Sequence, residues 1–300
     1  MKFGKFVLAL VAINVKRGIA KRIKDAPGHG LYEEWLDVPI DDSKNPYRTY
    51  DVYKAKEPRK GVLIVDIHGG AYMLSSHHDN YPFALEFLKD GFDVALLDYR
   101  PNDGKRDTLD LFRDMVDGFN HMLAHRKEYG IEDDEIVITG DSAGGHFALL
   151  LAEALCDEEV AKKLGIELPK VRLQSVMLNC PVYDFAPIGF DAMRKGAMKR
   201  MFGPRFDDMA ARELLSPHTH IASLSVPLFV STCKHDFLRQ QSLLLEQDCK
   251  KLGKEIQLVD IPSEDRRVSH VHNVLAVNLP ESIRVNQAMM DFASPVKEKE

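Results

Sequence analysis

Gly140-Asp141-Ser142-Ala143-Gly144-Gly145 stands between a short apolar run, Ile136-Val137-Ile138-Thr139, and a helix-like run from Phe147 to Leu155. The order is strand, tight turn, helix, with a serine at the tip and glycines two before and two after it. There the backbone must bend sharply and the new helix must pack close to the strand it leaves, which glycine permits. A serine held this way projects its hydroxyl outward, and the amide of Ala143 points toward an oxyanion forming at the attacked carbon. Ser142 is therefore a candidate nucleophile; the plainer alternative is a small-residue turn.

A second motif lies upstream. Val62-Leu63-Ile64-Val65 reads as a buried strand and runs into Asp66-Ile67-His68-Gly69-Gly70-Ala71-Tyr72. Acyl transfer needs amide donors aimed at the developing negative oxygen, and losing one costs about 3 kcal/mol of transition-state stabilisation. A Gly-Gly pair after a strand can turn its N–H groups toward a ligand with no Cβ in the way. Gly69, Gly70 and Ala143 thus form an expected three-donor oxyanion hole, with Tyr72 beside it as an expected substrate contact. By itself the Gly-Gly pair could be a flexible strand-end turn.

With both motifs in hand, the chain resembles the hormone-sensitive-lipase-like branch of the α/β-hydrolase fold, mainly carboxylesterases of short acyl esters. The resemblance covers roughly residues 48 to 294. Asp98-Tyr99-Arg100-Pro101 is similar to the family's strand-end Tyr-Arg element, and Asp114 falls where relatives have an acid on the following helix. The pattern departs after Arg100: Pro101-Asn102-Asp103-Gly104 replaces a longer Leu-Ala-Pro-Glu stretch that borders the pocket in relatives. That departure bears on substrate preference rather than on chemistry.

A serine hydrolase of this fold places its acid and then its histidine after the nucleophile. The strand-like run Leu228-Phe229-Val230-Ser231-Thr232 ends in Cys233-Lys234-His235-Asp236. A carboxylate just past a parallel strand lies on the sheet edge where Ser142 also emerges, which favours Asp236 as the acid. Asp260, Glu264 and Asp265 compete by position. The loop after Ile256-Gln257-Leu258-Val259-Asp260-Ile261 holds His270 and His272. Imidazole can take the serine proton and return it to the leaving alcohol. His270 is favoured because His270-Val271-His272-Asn273 resembles the family's His-x-Phe-Asn ending, and His272 stays open as the alternative. His146, just after the turn, reads as a packed side chain; His218, His220 and His235 read as solvated or locally bonded.

Composition limits the other classes. A chain of 300 residues, 45% hydrophobic, suits one large α/β domain with a decorated top, or two small domains, and a net charge of -6 argues against a nucleic-acid partner. Cys156, Cys180, Cys233 and Cys249 are scattered, which fits reduced thiols and a cytoplasmic location. No ligand spacing suggests a metal or organic cofactor, so none is expected; His77-His78-Asp79 is the nearest candidate. The N-terminus is basic, with Lys2, Lys5, Lys16, Arg17, Lys21, Arg22 and Lys24 and no acid before Asp25. Its apolar run, Phe6 to Val15, is half the about 20 residues needed to span a bilayer. Three readings stay open: a cap helix over the site, a membrane-surface contact, or an atypical export signal.

Along the chain, strands are expected at 32–38, 48–54, 62–67, 93–98, 135–139, 171–178, 227–232 and 256–261, and helices at 80–90, 107–128, 143–155, 239–252 and 281–292. That alternation predicts a mostly parallel central sheet with helices on both faces. The stretch from Tyr183 to Ser225 breaks the rhythm. With Met193, Met198, Met201 and Met209 it reads as a lid whose methionines line an acyl pocket, or else as a long crossover. The expected architecture is an α/β-hydrolase domain over 31–300, with a cap made of an N-terminal helix in 1–30 and the insertion at 183–225. The expected reaction is hydrolysis of a small carboxylic ester of short to medium acyl chain through an acyl-enzyme. The rivals are a lipase on longer chains, an amidase or peptidase, and a non-catalytic small-molecule binder.

Overall fold

A computed structural model describes residues 29–132, 135–185, 199 and 201–295. The expected N-terminal cap helix, with its membrane and export alternatives, lies outside these residues, as do Met193 and Met198. Eight strands form one sheet: β1 (Glu33–Pro39), β2 (Thr49–Lys54), β3 (Leu63–Ile67), β4 (Asp93–Leu97), β5 (Glu135–Asp141), β6 (Arg172–Asn179), β7 (Leu228–Cys233) and β8 (Ile256–Ile261), in the spatial order β1-β2-β4-β3-β5-β6-β7-β8. β2 pairs antiparallel with β1 and with β4; every other pairing is parallel. This is the α/β-hydrolase fold. The larger helices are α1 (Tyr81–Lys89), α2 (Thr108–His125), α3 (Ala143–Cys156), α4 (Glu158–Leu164), α5 (Met209–Leu215), α6 (Arg239–Lys251) and α7 (Pro280–Ala293).

Every residue of β3 and β4 is buried, and their side chains alternate between two cores. Leu63, Val65, Ile67, Ala95 and Leu97 face one core with α2 and α3; Ile64, Val94 and Leu96 face the other with α1 and α7. Parallel strands covered on both faces are largely apolar on both, which is why these runs do not show the alternation of a half-buried strand. The exceptions, Asp66 and Asp93, are buried with polar partners, Asn80 and Arg59. Among the described residues, no helix is long and apolar enough to cross a membrane.

Two expectations need correction. The helix expected over 107–128 gives way to a tighter 3₁₀ turn, Arg126–Tyr129, stopped by Gly130 at φ 66°. α4 was not foreseen, although Asp157 caps it by accepting from the Glu159 amide and Gly165 ends it at φ 64°. The insertion holds α5 and a further turn at Pro217–His220, and it is bonded to the body of the fold. Asn102 Nδ2 donates to Met201 O at 2.9 Å and Thr108 Oγ1 to Phe202 O at 3.0 Å. Met209 is 51% exposed, and its sulfur accepts from Arg212 Nη2 at 3.3 Å.

The elbow is held by packing. A Cβ at Gly144 would lie 1.9 Å from the carbonyl oxygen of Ile67 and 2.5 Å from that of His68, both backbone atoms. Neither can swing aside. Gly144→Ala is expected to cost on the order of 3 kcal/mol, read as a drop of several degrees in a thermal melt; an unchanged melting temperature would refute the close approach.

Candidate active site

Ser142 follows β5 with φ 53° and ψ −112°, a strained conformation for a residue with a side chain. Three backbone hydrogen bonds hold it: its amide donates to Asn179 O at 2.9 Å, and its carbonyl accepts from His146 at 3.1 Å and Val182 at 3.2 Å. The strain therefore spans β5, β6 and α3. Asp236 follows β7, and His270 lies in the loop after β8, so all three emerge at the carboxyl ends of parallel strands. A short bridge between His235 and Ser269 ties the Asp236 loop to the His270 loop.

The structure brings Ser142, His270 and Asp236 into one hydrogen-bonded line. His270 Nδ1 is 2.6 Å from Asp236 Oδ1, and His270 Nε2 is 2.9 Å from Ser142 Oγ. A carboxylate only accepts, so Nδ1 carries the proton and Nε2 presents its lone pair to the serine hydroxyl. Asp236 also accepts from the Leu238 amide at 2.9 Å and from Thr232 Oγ1 at 2.8 Å. Burial opposes its charge, but the bond and charge of His270 and these donors outweigh it and hold the carboxyl below its usual range. His272 is turned away: it is buried, its Nδ1 is 2.9 Å from Ser282 Oγ, and burial lowers its pKa. The competing acids are committed elsewhere, Asp260 to Arg239, Glu264 to Lys234 and Asp265 to Arg267.

The oxyanion expectation is corrected at one residue. The Gly69 amide donates to Asp141 Oδ1 at 2.9 Å, so it is not a free donor. Gly70 (φ 106°) and Ala71 (φ 54°) follow in left-handed conformations. Among the described residues, no acceptor is bonded to the amides of Gly70, Ala71 or Ala143. Ala71 was not foreseen; the signal was present in the run His68-Gly69-Gly70-Ala71, where the first glycine is needed for closeness instead. A Cβ there would fall 2.2 Å from Asp141 Oδ2.

Tyr72 also differs from expectation. It is 2% exposed, its hydroxyl is 3.0 Å from His146 Nδ1, and its ring packs on Phe147 and Phe185. His146 Nε2 donates to Leu215 O at 2.6 Å, so Nδ1 must accept from the tyrosine. Tyr72 is thus a wall element tying the loop to the insertion, with no free hydroxyl for a substrate. An unforeseen neighbour is Phe237, 75% exposed, whose ring lies 4.2 Å from that of His270.

Two groups among the described residues bring potential metal-ligand atoms within 4.8 Å of one another. In the group Cys180, Asp236 and His270, both imidazole nitrogens are already taken, so that group does not suit an ion. The other is Asp37, Asp51, His77 and His78. Asp79, grouped with the two histidines on sequence grounds, instead accepts from the Ser76 amide at 3.2 Å and caps the turn at His77–Asn80.

Beneath the Gly69 loop, Asn80 Nδ2 bridges two buried carboxyls, 2.8 Å from Asp66 Oδ2 and 3.0 Å from Asp141 Oδ1. Asp66 has an unpartnered oxygen, whereas Asp141 also accepts from Gly69. Asp66 therefore carries the proton: burial, and then the neighbouring Asp141, push it up to about 8 from 3.8. Between those values the folded chain holds a proton that the unfolded chain has lost, so this group lowers stability as pH rises. Asp66→Asn is expected to raise the melting temperature relative to the parent, by a margin that grows from pH 4 to pH 8 and then levels off. A margin independent of pH would show that Asp66 is not the proton carrier.

Residues 50–248 match the family BD-FAE. Esterase LipU of Mycobacterium tuberculosis is 30% identical over 251 residues, covering 79% of this chain and 78% of LipU. The probable carboxylic ester hydrolase LipM of the same organism is 30% identical over 182 residues, 59% of this chain and 41% of LipM. Carboxylesterase/phospholipase LipF, also from that organism, is 29% identical and half covered, so the chain spans about half the length or less of these two relatives. Among solved structures, esterase B of Lactobacillus rhamnosis inhibited by a C4-C4 SN3 tributyrin phosphonate superposes with a TM-score of 0.85 at 23% identity, covering 97% of this chain and 94% of that one. At that identity the likeness speaks for the fold.

Proposed function

The chain belongs to the BD-FAE family, among the hormone-sensitive-lipase-like carboxylesterases, and from that premise we propose that it hydrolyses small carboxylic esters through an acyl-enzyme on Ser142. The observation that carries the proposal is the continuous line from Asp236 Oδ1 through His270 to Ser142 Oγ, at 2.6 and 2.9 Å. Ser142 Oγ attacks the acyl carbon while His270 Nε2 takes its proton. Asp236 stays ionised, holds the tautomer and stabilises the imidazolium. The negative oxygen of the tetrahedral intermediate meets the amides of Gly70, Ala71 and Ala143. Collapse breaks the bond to the alcohol oxygen, which leaves with the proton from His270. Water then repeats the sequence from the same base and releases the acid.

The relatives named carboxylic ester hydrolase and esterase support the ester as the bond cleaved. The C4 chains on the inhibitor of esterase B support a short to medium acyl group. The described part of the insertion at 183–225, bonded through Leu215, Met201 and Phe202 to the body of the fold, serves as the cap.

Nitrophenyl esters of graded length test this. The kcat/KM profile is expected to peak between acetate and hexanoate and to fall by palmitate. Ser142→Ala and His270→Ala are each expected to lose about 10⁴-fold or more in kcat, and His272→Ala far less. A Ser142→Ala protein keeping a tenth of the activity, or a larger loss from His272→Ala than from His270→Ala, would overturn the assignment.

A further inference from the structure

β1 is irregular where it pairs with β2: the register shifts between Trp35 and Val38, and Asp37 sits there at φ 49°. A bulge re-aims a side chain and survives in a strained conformation only where its surroundings hold it. Here the carboxylate of Asp37 is turned toward the short turn ahead of α1. Asp37, Asp51 of β2, His77 and His78 converge, each offering an atom within 4.8 Å of the other three. His77 Nε2 lies 3.1 Å from Asp51 Oδ1 and 3.7 Å from Asp37 Oδ1. His78 Nε2 lies 3.1 Å from Asp37 Oδ1, and its Nδ1 lies 3.3 Å from Asp51 Oδ2. Zinc holds nitrogen and oxygen ligands at about 2.0–2.2 Å in a tetrahedron, which sets neighbouring ligand atoms roughly 3.3–3.6 Å apart. These separations are close to that spacing, but His78 can give an ion only one of its two nitrogens; the four ligand atoms, one per residue, lie within 4.8 Å and would draw in around it.

The surroundings are also those of a metal site. His77 Nδ1 donates to Asp98 Oδ2 at 2.8 Å, which leaves Nε2 as the nitrogen facing the carboxylates. Asp51 is itself fixed, by Tyr53 Oη at 2.8 Å and by the Asp37 amide at 2.7 Å. A carboxylate behind a histidine ligand, and hydrogen bonds behind a carboxylate ligand, orient metal-binding groups in this manner. Two carboxylates balance one divalent charge, so the filled cluster would be neutral where Asp51 and His77 are buried. The side chains of Asp37 and His78 are 62% and 42% exposed, which opens a way in from solvent.

We propose that Asp37, Asp51, His77 and His78 form a structural zinc site that ties the β1 bulge to the turn ahead of α1. Two imidazoles select such an ion over Mg²⁺ and Ca²⁺, which prefer oxygen alone. The ion replaces protons shared between the imidazoles and the carboxylates. Asp98, which orients His77, also bonds His68 at 3.0 Å, next to the Gly69–Ala71 loop, so the same ion braces that loop. The assignment stands apart from the esterase reading.

Full-length protein is stripped with EDTA, dialysed and titrated with zinc chloride, with metal content and melting temperature measured together. One zinc per chain is expected, and at about 100 times the dissociation constant a rise of roughly 5 °C in melting temperature. Magnesium or calcium at the same concentration is expected to give none. Asp37→Asn combined with His78→Ala, both at exposed positions and with asparagine suited to the positive φ, is expected to keep the parent's circular dichroism and to bind zinc at least 50-fold more weakly. Asp37→Asn alone, expected to weaken binding about tenfold, serves if the double variant melts early. Absence of zinc uptake by the parent, equal uptake by the variants, or an equal shift with magnesium overturns the site.

Discussion

The structure depends on how closely α3 approaches β3. Gly144 sits against the carbonyls of Ile67 and His68 with no room for a Cβ, and Gly140 is pressed against Gly144 in turn. This approach forces the turn between β5 and α3 to be as short as the chain allows, and Ser142 absorbs the bend at φ 53°. The strain is borne because Ser142 is bonded to β6 on one side and sits at the head of a helix buried from Ala143 to Ala154 on the other. A longer, relaxed turn would move Ser142 away from His270 and open a gap beneath α3. Packing and site geometry therefore share one cause.

Around that contact the interior is unusually rich in charge. Asp51, Asp98, His68 and His77 are all at most 3% exposed and form a continuous chain behind the Gly69 loop. Burying any one alone would be prohibitive, and they persist because each is bonded to a partner of opposite sign. Burial works against the charge on His77, but its bonds to Asp51 and Asp98 prevail and raise it to about 10. Burial likewise opposes ionisation of Asp98, and its two histidines hold it low. His68 faces an acceptor from each nitrogen, Gly69 O at 2.7 Å and Asp98 at 3.0 Å, so it carries both protons, with Tyr99 stacked flat on its ring at 4.3 Å. The loop bearing Gly70 and Ala71 is thereby built into a rigid polar scaffold rather than left as a mobile strand end.

The insertion adds a second scaffold with a different chemistry. Phe185, Phe202 and Phe206 are buried in it, and Tyr72 and His146 join its Leu215 to the start of α3. His146 sits deep enough that burial lowers its pKa to about 4, so it stays neutral and serves as a fixed donor and acceptor. A neutral histidine suits this buried position, where an imidazolium would demand a counter-charge.

Local features of the chain were enough to determine the strand runs, the alternation with helices, and the glycine-flanked serine between β5 and α3. Each of these follows from side chains within a few positions of one another: apolar runs mark buried strands, and small residues mark a turn that must be tight. Ser142 and Asp236 were legible as residues at strand ends, whereas His270 was favoured over His272 only by its resemblance to the family's ending, and the fold is what places His270 beside Ser142 and His272 beside Ser282. The tertiary structure decided what depends on partners far apart in sequence. Gly69 gives its amide to Asp141, 72 residues on, so that amide is not free for another acceptor. Tyr72 is claimed by His146, 74 residues on. Asp37 and Asp51 reach His77 and His78 only because β1 bulges and β2 pairs beside it. Polar groups in a buried space take whichever partner the fold brings within 3 Å, and periodicity along one segment carries no information about that choice.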